Sequence, residues 1–529
     1  MRRFPLVKTL AVACALALAA PVPPRAQVNL PSLGDTVSEQ VGVGTERRLG
    51  DQIMREIRRD PDYLDDPLLL EYVQSLWSPL VAAARARGDI GADLDARFAW
   101  EAFLVRDRSV NAFALPGGFV GVHLGLVSLT STRDQLASVL AHELSHVTQR
   151  HIARSIVNEQ RQSLIGLAAM ILGVIAASRS TRPDAANAII TGGQAAAVQG
   201  MLNFSRDMER EADRIGIALL ERAGFATAGM AQMFEKLDGA SRLNDSLGYP
   251  YLRTHPLTVE RIGEARLRAG SGAAAVMPPA PLEHELMRAR ARVLMDARVD
   301  SLRRLQAQDA QAPGATPPLE RAGLLAASAL ASARLRDGAR AVAAAERAQA
   351  ALREAAAGEP RAERGADLAR AERALALLLA EAQLEAGQPA RAAAALKPFE
   401  ADPSRAPALA RAQVALAVGT ADTLRRSAEE LQTRVTQTPA DAAAWLALAQ
   451  LWSRLEQPLR AVRAEAESRA AIGDLNGAVD RLRAGQRLAR TAGRPDFIEA
   501  SVIDARLREL EAQRRELAAE LRGDGKGPP

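Results

Sequence analysis

The sequence predicts an α+β domain followed by an α-helical repeat domain. In the first half, amphipathic helical segments alternate with short runs of strand-forming residues, such as Phe98–Val105. A segment rich in Gly and Pro, Gly270–Pro281, then interrupts the chain as a linker would. Beyond it, Ala, Leu, Arg and Glu recur with helical periodicity and almost no strand signal. The length of 529 residues is sufficient for two or three hydrophobic cores.

The N-terminus has the composition of a secretory signal peptide. Basic residues precede the apolar run Thr9–Ala20, and Ala17–Ala19 offers the small residues of a cleavage site. The run is shorter than the ~20 apolar residues that cross a bilayer, so we expect a removable signal and no transmembrane span. Cys14 is the single cysteine. Its removal with the signal would leave a mature chain without disulfides.

The charge pattern argues against nucleic-acid binding. The formal net charge of +5 is small for a chain of this length. Almost all basic residues are arginines, and they alternate with Glu and Asp along the helical segments instead of forming a basic patch. This alternation is typical of a solvated helical surface, so no nucleic-acid partner is expected.

The first predicted elements carry clear start signals. Ser38–Arg59 has the apolar stripe of an amphipathic helix, and Asp66 followed by Pro67 predicts the capped start of a second helix. Phe98–Val105 predicts a strand, and Asn111–Val122 predicts two short strands broken by a Pro-Gly-Gly turn. The edge of such a small sheet can hold an extended peptide through main-chain hydrogen bonds.

The most informative motif is H-E-L-S-H, in a predicted helix over Gln135–His151 that Thr132 caps. His142 and His146 are four residues apart, so both imidazoles lie on one face of the helix and can reach one metal ion. Glu143 follows the first histidine directly, where its carboxylate can accept a proton from an attacking water. The motif predicts a metal site for a single Zn²⁺ ion per chain.

A second acidic segment completes the predicted site. Ser205 fits the N-cap of a helix on which Glu209 and Asp213 share one face. Glu209 is the predicted third metal ligand, and Asp213 is predicted to hydrogen-bond a ligating imidazole. Glu211 is the rival ligand, although it points nearly opposite Asp213. A solvated charged face is the alternative interpretation of the whole segment.

Three further histidines and one apolar segment carry weaker signals. His151 would lie on the opposite side of the predicted helix from the motif, as a surface or packing residue. His123 is expected in the core, although it could also line the cleft, and His284 has no predicted partner. Leu164–Ala177 is too short to span a bilayer and predicts a buried or interfacial helix. Arg179–Gly193 predicts a loop.

The second half shows a weak repeat. Gln388-Pro389 and Gln457-Pro458 are separated by 69 residues, about twice the ~34-residue tetratricopeptide period. Trp445 fits the start of one such repeat. An Ala-rich helical bundle is the alternative. The predicted boundaries are residues 1–26 for the signal peptide, 27–270 for the zinc metalloprotease domain, 271–283 for the linker, 284–522 for the repeat domain and 523–529 for a disordered tail.

These motifs together resemble a known family. The pair H-E-L-S-H and S-R-x-x-E-x-x-A-D is similar to the gluzincin proteases of the CAAX-prenyl-protease and heat-shock-protease type. The likeness includes Asn111–Gly118, His142–Arg154 and Thr254–Leu257. It is greatest to the periplasmic branch of β-barrel assembly-enhancing proteases with C-terminal tetratricopeptide repeats. The resemblance implies a zincin-type catalytic domain, zinc ligands at His142, His146 and Glu209, and a catalytic base at Glu143.

The resemblance also implies a function and its setting. It implies a zinc-dependent endopeptidase of the bacterial periplasm that degrades misassembled envelope proteins and assists assembly of outer-membrane β-barrel proteins. The implied partners are unfolded or misassembled outer-membrane proteins and, through the repeat domain, the outer-membrane assembly machinery. The resemblance leaves open whether the protein also contacts the membrane surface peripherally. The alternative is a periplasmic chaperone or adaptor built on the repeats, with a latent or vestigial protease half.

His255 has three interpretations. It lies in a predicted loop before Pro256, where a turn histidine would be structural. It could instead donate a hydrogen bond to the developing oxyanion, or act as a fourth zinc ligand that keeps the enzyme latent. The resemblance favours the latent ligand.

Overall fold

A four-stranded mixed sheet, the helices that surround it and a long series of consecutive helices make up the structure, which is a computed structural model. The predicted signal peptide, the apolar segment Leu164–Ala177, the loop Arg179–Gly193 and the C-terminal tail lie outside the described residues. The structure describes residues 41–158, 205–243, 250–269, 281–310, 316–357, 361–491 and 496–522.

The first described elements follow the predicted start signals. Helix α1 (Val43–Ile57) lies within the predicted first helix, and the short strand β1 (Tyr63–Leu64) follows it. Helix α2 (Pro67–Arg87) begins as predicted, because the Asp66 carboxylate accepts a hydrogen bond from the backbone N–H of Leu69. A further short helix, α3 (Ala92–Arg97), leads into the sheet.

The sheet confirms the predicted hairpin and adds an unpredicted parallel pair. Strands β3 (Ala112–Leu115) and β4 (Phe119–His123) are antiparallel, and β2 (Glu101–Val105) pairs in parallel with β4. The strand order is β1-β2-β4-β3, so β3 lies at one edge. Gly117 and Gly118 form the hairpin turn with φ values of +80° and +88°, which side chains with a Cβ rarely adopt.

The segment predicted to form one metal-site helix is divided between two helices. After α4 (Leu124–Leu129), α5 covers Arg133–Thr148 and α6 covers His151–Asn158. The single helix Gln135–His151 is therefore wrong at its C-terminal end, because Arg150 adopts a left-handed φ of +51° and breaks the helix. The predicted capping by Thr132 is confirmed, since its hydroxyl accepts a hydrogen bond from the N–H of Gln135.

Four more helices enclose the site. Helix α7 (Arg206–Arg222) begins at the predicted cap, where the Ser205 hydroxyl accepts a hydrogen bond from the N–H of Met208. The others are α8 (Ala228–Leu243), α9 (Pro250–Thr254) and α10 (Val259–Ala269). Helices α7 and α8 both pack against α5.

The described part of the second half is helical. The helices are α11 (Leu282–Leu294), α12 (Val299–Gln306), α13 (Pro318–Arg334), α14 (Gly338–Ala357), α15 (Arg361–Glu385), α16 (Pro389–Leu396), α17 (Arg405–Val418), α18 (Ala421–Gln437), α19 (Ala442–Arg454), α20 (Pro458–Ala471), α21 (Leu475–Thr491) and α22 (Phe497–Arg522). Helices α16 and α20 begin at the two Gln-Pro pairs of the weak repeat, with Gln388 and Gln457 as N-caps.

One hydrophobic core joins the sheet half to the first helices of the second half. Helix α11 packs against α4, α13 and α15, and its buried side chains belong to the core that surrounds α5. His284 acquires the partners that its sequence context did not predict, because Nε2 lies 3.1 Å from the carbonyl oxygen of Thr130 and Nδ1 faces the Tyr72 hydroxyl. Within the described helices, none is both long and apolar enough to cross a bilayer.

Candidate metal centre

Four buried side chains from three parts of the chain meet at one point. His142 and His146 come from α5, Glu209 comes from the first turn of α7, and His255 follows α9 directly. One nitrogen or oxygen atom from each lies within 4.8 Å of all the others. The structure thus brings together the three predicted ligands and the candidate fourth.

The spacing of the four atoms fits a tetrahedral metal ion. The Nε2 atoms of His142 and His146 are 3.0 Å apart, and His142 Nε2 lies 3.3 Å from His255 Nδ1. Glu209 Oε1 is 2.9 Å from His255 Nδ1 and 3.5 Å from His146 Nε2. With metal–ligand bonds of ~2.0–2.1 Å, the edges of a tetrahedron measure roughly 3.3–3.4 Å. Three nitrogens and a carboxylate oxygen are also a donor set that zinc accepts.

Close packing of α7 against α5 makes this convergence possible. Every residue of α5 from Asp134 to Thr148 is buried. A Cβ atom at Gly216 of α7 would lie 3.3 Å from the backbone nitrogen of His142. The glycine lets the two helices approach at the first histidine, so the carboxylates of α7 reach the imidazoles of α5.

Glu143 and Tyr251 bring further polar atoms to the cluster. Both carboxylate oxygens of Glu143 are buried and lack a hydrogen-bond partner among the described residues, and one lies 3.5 Å from His255 Nε2. The Tyr251 ring stacks on His255 with 4.6 Å between centroids. Its buried hydroxyl likewise has no hydrogen bond within the described part of the chain. These groups can bind a water or a substrate carbonyl next to the cluster.

Asp213 occupies the predicted outer position. Its Oδ1 lies 2.9 Å from His142 Nδ1, so the imidazole can donate there and present Nε2 to a metal. Arg261 donates two hydrogen bonds to Asp213 at 2.7 and 2.8 Å and forms an ion pair with Glu209 at 2.8 Å. No motif in the sequence points to Arg261, which lies 48 residues beyond Asp213.

The electrostatics of the cluster favour a bound cation. Burial alone would lower the pKa of His142, but hydrogen bonds with Asp213 and Glu209 raise it to about 10. Burial would raise the pKa of Glu209, but His255 and His142 hold it well below its usual range. Burial and the neighbouring His142 lower the pKa of His146 well below normal. The ionised carboxylates therefore attract positive charge, which a divalent ion can supply.

His151 is not on the surface, and this part of its prediction is wrong. It is fully buried, and its Nδ1 lies 2.8 Å from Nδ1 of His146. Its Nε2 lies 3.1 Å from Glu211, which also pairs with Arg154. The prediction failed because it continued one helix through Arg150. His151 and Glu211 both lie outside the group of four described side chains that could hold a metal.

His123 has the expected core position. It is buried on β4, its Nδ1 lies 2.9 Å from the Ser109 hydroxyl, and its ring meets Phe113 edge-on. It is not part of the four-residue cluster found among the described residues. The cleft-lining alternative for His123 has no support in these contacts.

The small sheet, the H-E-x-x-H helix and the converging acidic helix form the layout expected of a metallopeptidase domain. Residues 72–269 match the model for Peptidase family M48. The predicted protease class is thereby confirmed, and the matched residues include all four members of the cluster.

Several curated proteins are similar to the chain. It is 38% identical over 294 residues to a putative beta-barrel assembly-enhancing protease of Vibrio cholerae, covering 55% of this chain and 57% of the relative. The beta-barrel assembly-enhancing protease of Escherichia coli is 36% identical over 264 residues, 50% of this chain and 52% of the relative. The mitochondrial metalloendopeptidase OMA1 of Schizosaccharomyces pombe is 35% identical over 164 residues, 31% and 44% of the two chains. The chain spans about half the length of the bacterial relatives it matches.

Proposed function

We propose that the chain is a zinc-dependent endopeptidase of the bacterial periplasm that hydrolyses peptide bonds in misassembled envelope proteins. The observation that carries the proposal is the buried set of His142, His146, Glu209 and His255 beside a Glu143 carboxylate without a hydrogen-bond partner among the described residues. The donor set matches zinc, and the carboxylate is free to act on a water.

Each side chain has a proposed task in this reaction. A bound zinc ion supplies Lewis acidity to the scissile carbonyl and to the attacking water. Glu143 accepts the proton of that water and returns it to the leaving amine. His142, His146 and Glu209 hold the ion, and Asp213 keeps His142 in the tautomer that leaves Nε2 available.

Strand β3 is the proposed substrate-binding edge. It is an edge strand of the sheet and packs against α5, the helix that carries the H-E-x-x-H motif. An extended peptide that adds to this edge would form main-chain hydrogen bonds and pass close to the metal centre. Binding of this kind depends little on sequence, which suits the hydrolysis of unfolded chains.

The second half is the proposed partner-binding domain, and we keep its assignment as tetratricopeptide-like. A groove of about 720 Å³ is lined by Leu377, Leu409 and Leu446 of α15, α17 and α19. Leu68 of α2 and Arg290 of α11 close its other side. A groove across stacked helices suits an extended client. The names of the bacterial relatives support unfolded outer-membrane β-barrel proteins and their assembly machinery as partners.

Proteolysis of casein tests the peptidase. We expect wild-type protein to cleave casein and Glu143→Gln to bind the same amount of zinc without cleaving. The matched control is Glu221→Gln, the same chemical change at an exposed residue of α7. The comparison is repeated in a His255→Ala background, so that a latent enzyme is not mistaken for an inactive one. Near-wild-type cleavage by zinc-loaded Glu143→Gln would contradict the mechanism.

Crosslinking tests the partner-binding groove and separates the protease from a chaperone. A photo-crosslinking residue replaces Leu446, which is 49% exposed in the groove, or Val299, which is 52% exposed on α12. The probe is a denatured outer-membrane β-barrel protein. We expect crosslinks at the first position only, and equal capture at both positions would contradict a specific groove. Binding without any cleavage in the His255→Ala background would favour the chaperone.

A further inference from the structure

We propose that His151 is a positioning residue for the metal centre, which aligns His146 through a relay that ends on Glu211 and Arg154. The inference rests on the proposed metal function of His146 and adds a residue outside the ligand set. Its basis is the contact between the two imidazoles, whose Nδ1 atoms are 2.8 Å apart, and the complete burial of the His151 ring.

A strained turn places His151 against the metal-site helix. Arg150 adopts a φ of +51°, a conformation that costs residues with a Cβ roughly 1 kcal/mol or more. The turn is held because the Arg150 guanidinium donates to Glu46 at 3.0 Å and its N–H bonds the carbonyl of Val147. The ring of His151 then stands edge-on to that of His146, with 4.8 Å between centroids. A straight continuation of α5 could not make this contact.

The contacts of both rings specify one proton arrangement. His146 presents Nε2 to the cluster, so its neutral ring carries the proton on Nδ1 and donates it to Nδ1 of His151. His151 then carries its own proton on Nε2, which faces Glu211 Oε2 at 3.1 Å. Arg154 donates to the same oxygen at 3.0 Å and fixes the carboxylate. The relay thus leaves the metal-facing nitrogen of His146 with its lone pair available.

The other motif histidine has an equivalent arrangement with different chemistry. His142 donates directly to the carboxylate of Asp213, which Arg261 fixes from behind. Each imidazole of the motif is therefore oriented by a series of hydrogen bonds that ends in a carboxylate paired with an arginine. For His146 this series includes one more group, the neutral ring of His151. Outer hydrogen bonds of this kind typically change metal affinity 10–100-fold.

Metal binding, rather than activity, tests the inference. The zinc affinity of the full chain is measured by competition with a chromophoric chelator for wild type, His151→Phe and His151→Asn. Phe keeps the ring volume but no nitrogen, whereas the Asn Oδ1 lies near the position of the imidazole Nδ1 and accepts from His146. We expect His151→Phe to weaken zinc affinity 10–100-fold and His151→Asn to restore most of it. His123→Phe is the matched control, because His123 is a buried ring that hydrogen-bonds Ser109, in the loop between β2 and β3.

The outcomes separate this inference from the proposed function. Wild-type affinity in folded His151→Phe, or equal losses in His151→Phe and His151→Asn, would show that an acceptor at this position does not orient His146 and would overturn the inference. If His151→Phe does not fold, Glu211→Ala provides the test at the partly exposed end of the relay, where a several-fold loss of zinc affinity is expected and an unchanged affinity would contradict the relay. A wild-type chain that binds no zinc would instead refute the proposed function.

Discussion

Replacing His255 by Ala should activate the peptidase. His255 Nδ1 lies at one vertex of the tetrahedral set, 3.3 Å from His142 Nε2 and 2.9 Å from Glu209 Oε1. On the hypothesis of latency, the imidazole occupies the position that a substrate carbonyl needs, and the chain must move His255 away before cleavage. His255→Ala opens this position permanently and leaves His142, His146 and Glu209 to hold the metal.

The size of the activation follows from the contacts that close the site. In the zinc-loaded protein Nδ1 of His255 and Oε1 of Glu209 both face the ion, so the closed state is held by the imidazole–zinc bond and by the stacking on Tyr251, which contributes about 0.5–1.5 kcal/mol. Because water takes the vacated position on the zinc, most of the bond energy is recovered, and a net preference of about 2–3 kcal/mol for the closed state is expected, as for an open state populated to roughly 0.1–10%. Since each 1.4 kcal/mol is a factor of ten, basal activity should rise roughly 30- to 140-fold.

The assay is the initial rate of casein cleavage by purified, zinc-loaded protein. Bound zinc is measured in the same samples, because His255→Ala should keep its metal. The double variant His255→Ala/Glu143→Gln is the control, and it should lose the gained activity. If His255 instead donates a hydrogen bond to the oxyanion, turnover falls while substrate binding changes little. A lower or unchanged rate in His255→Ala would refute the restraint.

Three further predictions concern the outer residues and the domain junction. Asp213→Asn should weaken zinc affinity about 10–100-fold, measured by chelator competition, because His142 loses a charged acceptor. In Asp66→Asn the free energy of unfolding, measured by urea titration at several pH values, should fall less steeply than in the wild type as the pH is lowered. Burial would raise the pKa of Asp66, but Arg290 outweighs it and lowers the pKa, so the ion pair stabilises the fold above pH ~4 and is lost as pH falls through the folded-state value. The isolated region 284–522 should be helical by circular dichroism yet melt below the full chain, because Arg290 loses Asp66 and keeps only the longer ion pair with Glu381.

The motif residues were predictable because local spacing determines their geometry. His142 and His146 lie on one face of any helix, and the cap at Ser205 sets the face that carries Glu209 and Asp213. Their side chains project toward a common point once α7 packs against α5. Most of the site, and the hairpin of the sheet, could therefore be predicted from local patterns in the sequence.

The residues that were missed depend on tertiary contacts. Arg261 enters the site from α10, and no spacing rule connects it with Asp213. His151 was misplaced because one positive φ at Arg150 redirects the chain, and arginine gives no sequence signal for that conformation. The partners of His284 come from α2 and the residue after α4, more than a hundred positions away in sequence. Only the fold brings such groups together.

Metal content in two variants tests the central claim most directly. Elemental analysis should find one zinc per chain in the wild type and a strong loss in Glu209→Gln, because the carboxylate of Glu209 belongs to the cluster. Glu211→Gln should keep its zinc, since Glu211 lies outside the cluster and the amide oxygen can still accept from His151. Equal loss in both variants, or loss only in Glu211→Gln, would contradict the metal centre described here.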